Sequence, residues 1–121
     1  MNFYSRKLVK PEDLNSRGTL FGGTLLSWID EDAAIFVISR LGRQHIVTKY
    51  MSEINFVNSA KNGDIIEIGL ELTDIGKTSI TVRCLVRNLI TQEEIIRIEK
   101  IVFVHVNEFG RPSPHGLVQE A

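Results

Sequence analysis

The stretch GGTLLSWIDEDAAIFVISRL, Gly22–Leu41, decides the fold. It contains no proline, opens on a glycine pair and stops before Gly42, so it reads as a helix of about five turns despite the β-branched Ile35, Val37 and Ile38. No other element expected in the chain is as long. Asp30, Glu31 and Asp32 interrupt its apolar run, which falls short of the roughly 18 uncharged residues of a membrane span. The segment is better read as a helix buried in the protein's own core.

Downstream the pattern changes from helical to alternating. Residues 44–57, 64–74, 77–90 and 93–106 are rich in Ile, Val and Thr and predict four long strands. Asn62-Gly63-Asp64 and Asp74-Ile75-Gly76 supply turn chemistry between successive strands, so hairpins and antiparallel pairing are expected. In the second strand Ile66, Ile68, Leu70 and Leu72 share a face opposite Glu67, Gly69 and Glu71; in the third, Ile80, Val82 and Val86 oppose Thr81, Arg83 and Arg87. One face of the sheet is therefore buried. In the last strand Ile96 and Ile98 fall out of phase with Ile101 and Phe103, which suggests a bulge near Glu99. Upstream, residues 3–9 can form a short strand, and from Asn107 the chain carries Pro and Gly and reads as coil. One apolar helix plus an antiparallel meander makes an α+β layer structure in which the sheet covers the helix.

At 121 residues, 43% hydrophobic and 24% charged, the chain has the size and composition of one globular domain over residues 1–121. A chain this short buries only about two-thirds of its unfolded surface, so a long apolar helix favours self-association. Fourteen Lys and Arg against fifteen Asp and Glu, with no basic block, argue against a nucleic-acid partner. Cys84 is the only cysteine, and the N-terminal MNFYSRKLVK lacks the apolar core of a signal peptide; both point to the cytoplasm. His45, His105 and His115 are scattered without metal-ligand spacing. Cys84 runs in phase with Ile80 and Val82 and reads as a buried apolar residue, and no GxSxG elbow is present.

Placing helix residues about 100° apart gathers Thr24, Ser27, Glu31, Asp32 and Ser39 in a polar sector, with Trp28 and Ile35 intruding. Asp30 falls instead with Leu26, Ala33, Ala34, Val37 and Leu41. A carboxylate there loses water and needs hydrogen bonds or a raised pKa, conditions that recur at general bases and nucleophiles. It can equally lie at a subunit interface, hydrogen-bonded and without chemistry. Gly22 and Gly23 pose a similar choice. A helix N-terminus offers unpaired N–H donors and partial positive charge to an oxyanion, but a glycine pair is often only a tight entry turn. Asp30 lies about 10 Å along the axis from Gly23, which leaves room for a reacting group and water along the helix.

The run Asn15-Ser16-Arg17-Gly18-Thr19-Leu20-Phe21-Gly22-Gly23, followed by Trp28-Ile29-Asp30 and Ala33, resembles the signature of YciA-type acyl-CoA thioesterases. The likeness continues through Val47-Thr48, Ile54-Asn55-Phe56, Gly63-Asp64, Gly76-Lys77-Thr78-Ser79 and Gly110-Arg111-Pro112. It implies a hotdog fold, a long helix wrapped by an antiparallel sheet, with active sites formed between paired subunits and homodimers often assembled into hexamers. The implied reaction hydrolyses acyl-CoA to a carboxylic acid and CoA, with no metal and no cofactor beyond the coenzyme A of the substrate. By the resemblance Asp30 is the catalytic acid, acting as general base or nucleophile, Asn15 an active-site amide, and Gly23 the helix-end N–H that polarises the thioester carbonyl. Gly22, Thr48 and the turn Gly76, Lys77, Thr78 and Ser79 become substrate contacts, with Thr48 facing the site across the dimer interface. Outside the family, Lys77 reads as a solvated hairpin lysine and Asn15 as an Asx turn. Glu31-Asp32 and Asn58-Ser59 depart from the pattern, where many relatives carry a small residue and a proline, and leave acyl-pocket shape and loop geometry open. The alternatives are a non-catalytic acyl-CoA-binding or sensing protein that uses the same groove, against which Asp30 and Asn15 argue, and a purely structural oligomer.

Overall fold

Gly42 ends the long helix by taking the left-handed conformation, φ 72°, and donating its N–H to Ile38 O. The helix, α1, spans Gly22–Leu41 as the sequence predicts, and its buried residues are Leu25, Ile29, Ala33, Phe36 and Val37. These recur at the three- and four-residue spacing that lines one helical face. The computed structural model describes residues 1–117; the last four residues of the expected domain lie outside the described residues.

Among the described residues six strands form one antiparallel sheet: β1 Asn2–Leu8, β2 Ile46–Met51, β3 Asn55–Phe56, β4 Ile65–Ile75, β5 Ser79–Asn88 and β6 Glu94–His105. Their order is β1-β4-β5-β6-β2, with β3 pairing β6 beyond the end of β2. Ile66, Ile68, Leu70, Val82, Val86, Ile101 and Phe103 turn to the inner face, where they meet the buried side of α1. This is the expected α+β hotdog arrangement, a helix under a curved antiparallel sheet. No helix among the described residues is long and apolar enough to cross a membrane.

Two features differ from the simple alternating pattern. The strand expected over 44–57 is broken into β2 and β3, with 52–54 outside the ladder. The break lies opposite an irregularity in β6: Val82 pairs Ile101 while Cys84 pairs Ile98, so β6 carries one extra residue around Glu99-Lys100, the bulge the phase slip predicts. Ser52 bridges the gap, its N–H donating to Lys100 O and its Oγ accepting from Lys100 N. The second difference lies on the outer face of the sheet, where Glu67 is only 3% exposed. Phe3 of β1 lies so close to Gly69 that an added Cβ would meet its ring at 2.7 Å, and Arg87 stacks over the same ring at 3.6 Å. Arg87 Nε then donates to Glu67 Oε1 at 2.6 Å.

Candidate active site

Asp30 lies at the margin of the buried stripe of α1. It is half-buried; of the residues in its sector Ala33 and Val37 are buried in the core while Leu26, Ala34 and Leu41 are only partly buried, so the sector straddles the edge of the core and Asp30 sits on its outer side. Its Oδ1 accepts a hydrogen bond from Thr48 Oγ1 at 2.7 Å. The bond depends on another strand irregularity. Thr48 pairs Phe103 while Tyr50 pairs Val102, so β2 carries one extra residue at Lys49. Ile46 and Thr48 therefore share the helix-facing side, whereas beyond the bulge that side passes to Met51. The sequence resemblance places Thr48 across a dimer interface from the site; the fold bonds it to Asp30 of its own chain.

The entry loop holds Asn15 in a different set of contacts. Its Oδ1 accepts from Arg17 N at 2.9 Å and Thr19 N at 3.1 Å, and its Nδ2 donates to Thr19 Oγ1 at 2.9 Å. This is the Asx turn of the bland reading, and within one chain Asn15 makes no hydrogen bond to Asp30. The loop leads into the N-cap Phe21, whose side chain caps nothing, so the first amides of α1 have no side-chain acceptor from the cap.

The two glycines at that end have different reasons. A Cβ on Gly22 would come within 3.0 Å of Phe56 Cζ, so a larger residue there would push that ring aside. A Cβ on Gly23 would meet nothing within 4 Å. Gly23 costs helix stability without a steric need in this chain, and it lies about 10 Å along the axis from Asp30. A mainly apolar cleft of about 320 Å³ lies beside this helix end, between Leu20, Leu25, Phe56 and Ile95. Asp30 does not line it, nor does it line the larger cavity of about 540 Å³ between α1 and β1. Asp30 instead borders β2, an edge strand whose outer side has no partner among the described residues.

Gly76, Lys77, Thr78 and Ser79 form the β4–β5 turn, away from the Asp30–Thr48 pair in the hydrogen-bond network. Gly76 N donates to Ser79 O at 2.9 Å, and a Cβ on Gly76 would press on the Ser79 hydroxyl, which would have to rotate away. Lys77 is exposed, with no ion-pair partner within the described residues.

The helical wheel misplaces one acid. Asp32, read as polar-sector, has its Oδ2 buried without a hydrogen-bond partner. It follows Leu25 by seven and Ile29 by three residues and precedes Phe36 by four, a spacing that signals the core face. Burial, joined by the Asp32 charge, pushes the Cys84 thiol up to about 12, so Cys84 stays a protonated core group. His105 and His115, scattered in the sequence without ligand spacing, are both buried, 6% and 2% exposed. Among the described residues no three His, Cys, Asp or Glu side chains gather as metal ligands would.

A model of the thioesterase superfamily matches residues 17–95. An uncharacterized acyl-CoA thioester hydrolase of Buchnera aphidicola subsp. Baizongia pistaciae is 32% identical over 118 residues, covering 88% of this chain and 83% of that protein. The acyl-CoA thioester hydrolase YciA of Salmonella typhimurium is 28% identical over 115 residues, covering 90% and 86%. Among solved structures, the acyl-CoA hydrolase from Staphylococcus aureus in complex with butyryl coenzyme A, coenzyme A and coenzyme A disulfide superposes with a TM-score of 0.79 at 30% identity, over 91% of this chain and 66% of that one. A hexameric hotdog fold thioesterase of Campylobacter jejuni gives a TM-score of 0.77 at 28% identity, over 91% and 86%. Variants of the Staphylococcus aureus enzyme have been solved with Ala in place of one Asp, one Asn and one Thr; there the Asn precedes the Asp by 15 positions and the Thr follows it by 17. Here Asn15 precedes Asp30 by 15 and Thr48 follows it by 18.

Proposed function

This chain belongs to the thioesterase superfamily, and from that premise we propose that it hydrolyses acyl-CoA to a carboxylic acid and free CoA, with Asp30 as the residue that starts the reaction. Residues 1–121 act as one hotdog domain in the cytoplasm, paired as a homodimer that assembles further into a hexamer. No metal is used, and no cofactor beyond the coenzyme A of the substrate.

The observation that carries this reading is the Thr48–Asp30 hydrogen bond at an unpaired strand edge. Thr48 occupies Oδ1 and orients the carboxylate, which leaves Oδ2 as the oxygen that meets the substrate. In one course Oδ2 takes a proton from water as the water oxygen adds to the thioester carbon. Charge then builds on the carbonyl oxygen, where the Gly23 N–H and the positive end of α1 hold it. Collapse breaks the C–S bond, and the proton on Asp30 passes to the departing sulfur. In the other course Oδ2 attacks the carbon itself, thiolate leaves, and water cleaves the resulting mixed anhydride.

Asp30 lines neither of the two clefts beside α1 and borders a strand edge with no partner among the described residues, which supports a site completed by a second copy. Asn15, satisfied within its own loop, is assigned to that shared site. The apolar cleft at the helix N-terminus takes the acyl group, and Gly22 and the Gly76–Ser79 turn contact the CoA arm, with Lys77 as a point charge for phosphate.

Following free thiol from short, medium and long acyl-CoAs tests the proposal. Turnover that disappears in Asp30→Asn is the expected result. Tight CoA binding with no thiol release from any acyl-CoA would replace it with the sensing protein, and wild-type rates in the variant would remove Asp30 from the chemistry.

A further inference from the structure

Each carbonyl of the Lys77-Thr78-Ser79 turn has a partner outside the hairpin, Ser79 O in addition to the Gly76 N–H within it. His105 N donates to Thr78 O at 2.8 Å. The other two belong to one residue: His115 N donates to Lys77 O at 3.2 Å, and His115 Nε2 lies 3.0 Å from Ser79 O. Ser79 O can only accept, so Nε2 carries the hydrogen; Nδ1 is then the acceptor for Leu117 N–H at 3.0 Å. The Arg43 guanidinium donates in turn to His115 O. His115 is 2% exposed and sits in a segment without regular structure, 36 positions beyond the turn it holds. A buried polar ring is tolerated only where its partners are as complete as these.

With the carbonyls engaged, the donors of the turn are left over. The N–H groups of Lys77 and Thr78 have no acceptor among the described residues, and the exposed Lys77 ammonium stands on the same turn. Successive free amides beside a cation form an anion-binding surface. We propose that His115 is a positioning residue for CoA: by gripping Lys77 O and Ser79 O it sets the turn so that the Lys77 and Thr78 amides and the Lys77 ammonium engage a CoA phosphate. This rests on the reading of the chain as an acyl-CoA hydrolase. Its particular content is that His115 acts on the nucleotide end of the substrate and not on the thioester.

The test compares butyryl-CoA with the butyryl thioester of N-acetylcysteamine, which has the same reacting group and no phosphate. In His115→Leu the KM for butyryl-CoA rises about fivefold to tenfold, the loss of the one hydrogen bond the side chain gives the turn, with kcat within about twofold. The N-acetylcysteamine thioester is cleaved as by the wild type. His115→Gln, whose amide can still reach Ser79 O, recovers most of the KM. If the Leu variant does not fold, His115→Asn replaces it, since its shorter amide stops short of Ser79 O. Equal losses on both substrates, or a Gln variant no better than Asn or Leu, overturn the proposal in favour of a purely structural role. Calorimetric binding of free CoA separates it from the hydrolase reading: a wild type that releases no thiol but binds CoA must still bind it fivefold to tenfold more weakly as His115→Leu, and a wild type that does not bind CoA overturns both.

Discussion

Asp30 and Asp32 are two positions apart on one helix, and the fold treats them in opposite ways. Asp30 flanks the core stripe on the side of β2, where it is half-buried and bonded through Oδ1 to Thr48. Asp32 flanks the stripe on the other side, near Cys84 and the cavity lined by Tyr4, Phe36 and Leu70, with Oδ2 buried and unpartnered. The oxygen that is buried without a partner therefore belongs to the acid with no assigned role. Burial by itself does not mark a functional carboxylate; a fixed orientation with one oxygen left for a substrate does. Glu67 supplies a third case. It is almost fully buried yet paired with Arg87 and approached by Arg6, so its charge is spent on structure.

The contrast can be broken most decisively at Asp30. Asp30→Asn should lower kcat/KM for butyryl-CoA by about a thousandfold or more, roughly 4 kcal/mol of barrier, while the urea midpoint stays put. Retained activity would erase the distinction between the two helix acids.

Glu67 comes next. Although burial pushes its carboxyl up, the hydrogen bond and charge of Arg87, aided by Gln92 and Arg6, hold it net below the ordinary 4.5. A depressed carboxylate stabilises the fold fully above its ordinary value and loses that contribution as the pH falls through the folded one. Glu67→Gln should thus cost about 2 kcal/mol at neutral pH, and urea curves of variant and wild type should converge as the pH drops below 4.5. A gap that is independent of pH would show that packing, not charge, holds Glu67.

Two smaller effects sharpen the comparison. Thr48→Val keeps the shape of β2 but frees Asp30 Oδ1, and should slow hydrolysis about tenfold, or 1.4 kcal/mol, with a stability change below about 1 kcal/mol. An unchanged rate would mean Asp30 needs no such anchor. Asp32→Leu removes an oxygen that has no partner, so unfolding in urea should become harder by about 1 kcal/mol, with thiol release within about twofold of wild type. Destabilisation there would reveal a partner for Asp32 that a single chain does not provide.

Much of this fold was legible in the residues. The glycine pair and Gly42 bound the helix, the Asn62-Gly63-Asp64 and Asp74-Ile75-Gly76 turns bound β4, and the slip between Ile98 and Ile101 marked the β6 bulge. Which side of α1 faces the sheet was not legible, because apolar residues surround most of the helix and the contrast between its faces is slight. Hence Asp32 was put among solvated groups. The break in the strand expected over 44–57 was equally hidden, since it answers a bulge some 45 to 50 positions away, across the sheet. Of the candidate site residues, Asp30 and Thr48 are brought together, whereas Asn15 and the Gly76–Ser79 turn keep to contacts of their own.

The sequence by itself determined the α+β class, the long helix and the order of hairpins. Each of these depends on backbone preferences and side-chain periods that act over a few neighbouring residues. Only the tertiary structure decided that Thr48 turns inward to Asp30, that Glu67 lies under Arg87 and Phe3, and that His115 closes on the β4–β5 turn. In each of these the partners stand 18 or more positions apart, so no local preference encodes them; the bulges, strand register and returning C-terminal segment bring the groups within hydrogen-bonding reach.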